Sequence, residues 1–140
     1  MAASARTGSR RSGAERLRRA ARQVVAWEDA RDARIGITLL GAAAMRALNR
    51  RATGRRGLTD VIAYALPQPN GTLVGDVYIC PAAARQADAE FTEEMVRLTV
   101  HGTLHVLGYD HPDGPGRTRS AMWRRQERYV RRLLRPAPAR

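Results

Sequence analysis

At 140 residues, with 44% hydrophobic and 27% charged content, the chain is sized for one globular domain that can bury a core. No apolar stretch approaches the roughly eighteen residues of a membrane span, the basic start lacks the apolar segment of a secretory signal, and a lone cysteine excludes an internal disulfide framework and fits a reducing cytoplasm. The formal charge of +12 marks a chain suited to a polyanionic partner such as nucleic acid, although all 25 basic residues are arginine, a coding bias that lowers the weight of any single one.

Residues 1–13 are small, polar and basic without periodicity and read as a disordered leader, with the domain over 14–135 and a frayed, proline-broken tail over 136–140. Glu15 to Trp27 is helix-compatible, with Leu17, Ala21, Val24 and Val25 on one side. Arg34 to Leu39 alternates and predicts a strand, and Ala42 to Arg50 a helix that turns Met45 and Leu48 inward and stops near Gly54. Strands follow at Thr59–Leu66 and Leu73–Cys80, separated by the breaker-rich Pro67-Gln68-Pro69-Asn70-Gly71. A short helix is expected over Ala82–Ala89. A longer one spans Phe91–Leu107, capped by Thr92, with Glu93 and Glu94 in its first turn. A loop over 112–116 leads to a closing helix, Ser120–Leu134, and Trp27 and Trp123 read as packing anchors. The order α-β-α-β-β-α-α-α implies a compact α+β domain, a small mixed sheet packed with helices.

All three histidines fall in one window, His101-Gly102-Thr103-Leu104-His105-Val106-Leu107-Gly108-Tyr109-Asp110-His111. Spacing of four stacks His101 and His105 on one helix face, and Gly108 lets the helix end and the chain return with His111. Three imidazoles converging from a helix and its exit loop suit one Zn²⁺ with an open coordination position. Cys80, far upstream at the end of an apolar run, reads as a buried thiol rather than a fourth ligand. Asp110 is a candidate to orient an imidazole, with turn formation beside Gly108 as its other reading.

The spacing matches the zincin pattern H-E-x-x-H-x-x-G-x-x-H at the histidines and the glycine, but Gly102 stands where peptidases carry their general-base glutamate. A tri-histidine site keeps the full metal charge, which suits a phosphodiester gathering negative charge on its oxygens.

The window resembles the H-G-x-L-H-L-x-G-Y-D-H signature of the YbeY endoribonuclease family of rRNA maturation factors. Leu48-Asn49-Arg50, Thr59-Asp60-Val61-Ile62-Ala63-Tyr64 and Gly75-Asp76-Val77-Tyr78-Ile79-Cys80 resemble further family segments in the same order, so the likeness covers roughly residues 33–134. The family places an arginine a few residues after L-N-R, and at the matching place this chain reads Ala52-Thr53-Gly54. The neighbouring arginines become the candidates: Arg50 for catalysis beside His101 and Asp110, and Arg51, Arg55 and Arg56 for RNA contact.

The resemblance implies a cytoplasmic, zinc-dependent endoribonuclease acting on single-stranded RNA, in small-subunit rRNA maturation and ribosome biogenesis, with rRNA and the small ribosomal subunit as partners and no membrane. Two other readings stand beside it: a zincin-like metalloendopeptidase, which shares the histidine spacing, and a non-catalytic assembly factor whose zinc stabilises the fold.

Overall fold

The computed structural model describes residues 13–30 and 32–136, and the first helix is drawn from Ala2. The expected leader up to residue 12, and residues 137–140 of the expected tail, lie outside the described residues. In chain order the elements are α1 (Ala2–Trp27), β1 (Ala33–Leu39), α2 (Ala42–Thr53), β2 (Val61–Pro67), β3 (Leu73–Ile79), α3 (Pro81–Ala84), α4 (Phe91–Val106), a 3₁₀ turn (Gly114–Arg119) and α5 (Ala121–Leu134). The sheet order is β1-β3-β2, with β3 in the centre, parallel to β1 and antiparallel to β2. This is the small mixed sheet with helices that the element order implies.

The alternation along β3 decides where the core lies. Gly75, Val77 and Ile79 point one way and are buried, while Val74, Asp76 and Tyr78 between them are half-buried. α4 packs on this face of the sheet, flanked by α1 and α5. Its residues Val100 and Leu104 are fully buried, together with Val24 of α1 and Val77 and Ile79 of β3. Two glycines set the closeness of the helix–strand contact. A Cβ on Gly102 would stand 2.5 Å from Val77 Cγ1, and one on Gly75 would stand 2.2 Å from Val106 Cγ1. Neither position has room for a side chain, so α4 and its histidines are seated directly against the central strand.

Local chemistry moves three expected boundaries. Glu90, not Thr92, caps α4: its carboxylate accepts the backbone N–H groups of Thr92 and Glu93, both at 2.9 Å. The helix expected over 82–89 closes after one turn, because Gln86 and Ala87 donate to the carbonyls of Ala83 and Ala84 in tight turns. β2 begins at Val61, two residues later than its apolar pattern suggests. The closing helix starts where expected, with the Ser120 hydroxyl accepting the N–H of Trp123 at 3.1 Å.

Candidate metal centre

Helix periodicity puts His101 and His105 on the same side of α4, with ring centroids 4.5 Å apart. After Val106 the helix unwinds through Gly108 at φ 104°, and the N–H of Tyr109 reaches back to the carbonyl of Leu104 at 3.0 Å. The reversed chain brings the His111 ring to 5.1 Å from that of His101 and 5.0 Å from that of His105. One ligand atom from each of the three residues then lies within 4.8 Å of the others. Cys80 is fully buried with a free thiol and is not part of this group.

Each ring has its Nδ1 engaged by an oxygen. His105 Nδ1 meets the Tyr109 carbonyl at 3.0 Å and His111 Nδ1 the Pro112 carbonyl at 3.0 Å. His101 Nδ1 meets Gln126 Oε1 at 2.6 Å. Carbonyl oxygens only accept, so His105 and His111 carry their proton on Nδ1 and keep the Nε2 lone pair for a ligand. The Gln126 amide is oriented by its other end, where Nε2 donates to the Glu127 carboxylate at 3.0 Å, so His101 takes the same tautomer. Burial pushes the His101 imidazole down to about 4, partly opposed by the Gln126 hydrogen bond and reinforced by the charges of His105 and Arg117. Burial also lowers His105. Neutral rings, fixed tautomers and held orientations are what a tri-histidine metal site requires, so the donor set fits a divalent cation such as Zn²⁺ with one position left open.

The scaffold behind these contacts was not legible in the sequence. Gln126 is 1% exposed and lies on α5. Its partner Glu127 is held in turn by Arg97 of α4, which donates from Nε and Nη2 at 2.9 and 3.0 Å. The loop between His105 and His111 is fastened by Glu28, at the end of α1. Its carboxylate accepts the hydroxyl of Tyr109 at 2.6 Å, the hydroxyl of Tyr129, and Arg125 Nη1 at 2.9 Å. One residue thus joins α1, α5 and the carbonyl-bearing residue that orients His105.

Burial alone would raise the Glu28 carboxyl, but the two phenols and Arg125 outweigh it and hold the pKa below its usual value. A depressed carboxylate contributes stability that is present above the unfolded-state pKa and lost as pH falls through the folded value. Glu28→Gln is expected to cost about 2 kcal/mol near neutrality, the scale of hydrogen bonds to a charged group. It should also flatten the decline in stability below roughly pH 5. Urea denaturation across that range checks both.

The remaining candidates are placed differently. Asp110 accepts the backbone N–H of His111 at 2.9 Å, so it shapes the turn, while Gln126 and two backbone carbonyls orient the rings. Arg50, Arg51, Arg55 and Arg56 are exposed at the end of α2 and beyond it, and none lines the cavity beside His101. Thr53 closes that helix: its hydroxyl donates to the Asn49 carbonyl at 2.8 Å and accepts the N–H of Arg55 at 3.1 Å. Arg117 of the 3₁₀ turn lines the cavity beside His101, and its charge is one of the causes that lower both His101 and His105. In the sequence this segment is a breaker-rich loop that carries no signal for the role.

Comparison with known proteins agrees with this geometry. Residues 4–134 match the sequence model of the family described as Endoribonuclease YbeY. An Endoribonuclease YbeY of an Anaeromyxobacter species is 44% identical over 107 residues, covering 72% of this chain and 56% of that protein. The Endoribonuclease YbeY of Bordetella pertussis is 42% identical over 84 residues, 56% of this chain and 54% of that protein. The chain thus spans about half the length of these curated relatives. The solution structure of a Thermotoga maritima protein superposes with a TM-score of 0.54 at 25% identity, covering 88% of this chain and 79% of that one. By its sequence, matched over residues 4–134, the chain belongs to the YbeY endoribonuclease family.

Proposed function

We propose that the chain is a zinc-dependent endoribonuclease that cleaves single-stranded RNA in the maturation of small-subunit rRNA, in the cytoplasm, with the small ribosomal subunit as its partner. The observation that carries this reading is the convergence of three histidines, each turned by a hydrogen bond at Nδ1, around one point beside an arginine. When bound, Zn²⁺ supplies Lewis-acid activation of water at neutral pH and a positive field for phosphate oxygens. His101, His105 and His111 would hold one ion per chain through Nε2, and Gln126, Tyr109 and Pro112 keep those rings aimed. Arg117 supplies positive charge in the cavity wall beside His101, while Arg50, Arg51, Arg55 and Arg56 form an exposed basic edge suited to the RNA backbone. Gly102 argues against the peptidase reading, since its position is packed on Val77 and offers no place for a general-base carboxylate.

Incubation of the zinc-loaded protein with single-stranded RNA, the corresponding duplex and an unstructured peptide tests the proposal. Single-stranded RNA should be cut in preference to duplex, because a flexible strand can bring a phosphate onto a recessed site, and the peptide should stay intact. Metal-dependent peptide hydrolysis without RNA cleavage would favour a peptidase, and inertness toward all three a non-catalytic assembly factor.

A further inference from the structure

Beside His101 lies a cavity of about 300 Å³ whose walls include Asp60, Asp88, Arg117, Trp123 and Glu127. Its volume is at the lower end of the range for small-ligand sites, with room for one planar ring system and not for a base pair. Three features set its chemistry. Trp123 is half-buried yet stands outside the hydrophobic core, and among the described residues its indole makes no hydrogen bond, ring stack or cation–π contact. Trp27 differs: it stacks on Tyr129 at 5.1 Å and carries Arg132 over its face at 4.2 Å, so it is the packing anchor that both tryptophans were expected to be.

The second feature is the charge of the walls. Arg97 is held by Glu93, Glu94 and Glu127, which leaves it no unopposed charge for a phosphate. The carboxylates of Asp60 and Asp88 make no hydrogen bond among the described residues. A phosphate would be repelled by these groups, whereas a ring with N–H donors at its edge would be accepted. The third feature is position. His101 itself lines the cavity, with Arg117 in the same wall, so a nucleotide with its phosphate at the histidines could place its base in the cavity.

We propose that this cavity is a nucleobase subsite, in which Trp123 stacks one base of a single-stranded RNA and the carboxylates of Asp60 and Asp88 accept N–H groups from that base's edge. The inference rests on the RNA-cleaving reading of the histidine centre. Guanine, with adjacent ring and exocyclic N–H groups, fits two carboxylates best, and uracil, with a single ring N–H, fits least. The subsite also gives a reason for single-strand preference, since only an unpaired base can enter it.

The test uses the zinc-loaded full chain and a short oligouridylate with or without one central guanine. Trp123→Leu should raise KM for the guanine-bearing strand by roughly tenfold, as loss of a base–aromatic stack does. Trp123→Phe, which keeps a ring, should recover most of that loss, and bound zinc should be unchanged in both. In the wild type the guanine strand should quench tryptophan fluorescence on binding, and Trp123→Phe should abolish the quench. Unchanged KM in a folded Trp123→Leu, or quenching that survives in Trp123→Phe, would overturn the subsite while leaving RNA cleavage at the histidines intact. If Trp123→Leu does not fold, the quenching pair decides. If the wild type cuts no RNA, the cleavage reading fails by itself, and quenching by intact RNA still decides whether Trp123 stacks a base.

Discussion

Gly102→Glu is expected to unfold the domain. The new Cβ alone would lie 2.5 Å from Val77 Cγ1 and 3.0 Å from Cγ2, and Val77 is fully buried in the central strand. Neither side can yield, because one turn further on α4 is also pressed onto β3 where Gly75 meets Val106. The carboxylate would then sit in the core without a partner, which adds a desolvation cost to the overlap. Together these exceed about 4 kcal/mol, a large part of the roughly 5–15 kcal/mol that holds a small domain folded. Gly102→Ala keeps the overlap and omits the charge, and should cost about 1–3 kcal/mol. Circular dichroism with urea titration separates the two. From the sequence, Gly102 is the site of a missing general base, and a glutamate there would be expected to act by repelling phosphate. The packing puts steric exclusion first. A folded Gly102→Glu protein would show that α4 is not seated as described.

His105→Ala should have the opposite profile, a folded protein without function. His105 is only half-buried and its side-chain hydrogen bond is to a carbonyl at the edge of the site, so its loss leaves the core intact. It removes one of the three imidazoles placed to hold a metal ion. Loss of an outer hydrogen-bond partner of a metal ligand typically costs 10–100-fold in affinity, and loss of the ligand should exceed about 100-fold. Competition with a chelator for Zn²⁺ reads the affinity directly, thermal unfolding of the metal-free forms reads the fold, and RNA cleavage should fall to background. Wild-type zinc affinity in this variant would remove His105 from the site.

The contrast between these two residues indicates what a single sequence discloses. The histidine triad was legible because its geometry is local: helix spacing, one glycine turn and a return within eleven residues determine where the rings go. The sheet was legible from alternation, as in β3. What stayed hidden is nonlocal. Gln126, which turns His101, is 25 residues away in sequence. Glu28 meets Tyr109 across 81 residues. Their roles arise only when α1 and α5 close on α4. Arg117 is hidden for another reason: in a chain whose basic residues are all arginine, one more in a glycine- and proline-rich turn carries no signal. The arginines after Leu48-Asn49-Arg50 drew attention through resemblance, and the fold leaves them exposed, away from the walls of the cavity beside His101. The glutamate cap of α4 is not legible in the sequence because threonine is the commoner cap, while the longer Glu90 side chain reaches two amides at once.

The most direct measurement is a titration of Zn²⁺ into metal-free protein while cleavage of single-stranded RNA is followed. Activity should rise from background, saturate at one ion per chain, vanish again on chelation, and fail to appear in His101→Ala, His105→Ala or His111→Ala at the same zinc concentration. Cleavage that persists in the chelated wild type, or that the three alanine variants retain, would contradict a catalytic metal held by these histidines.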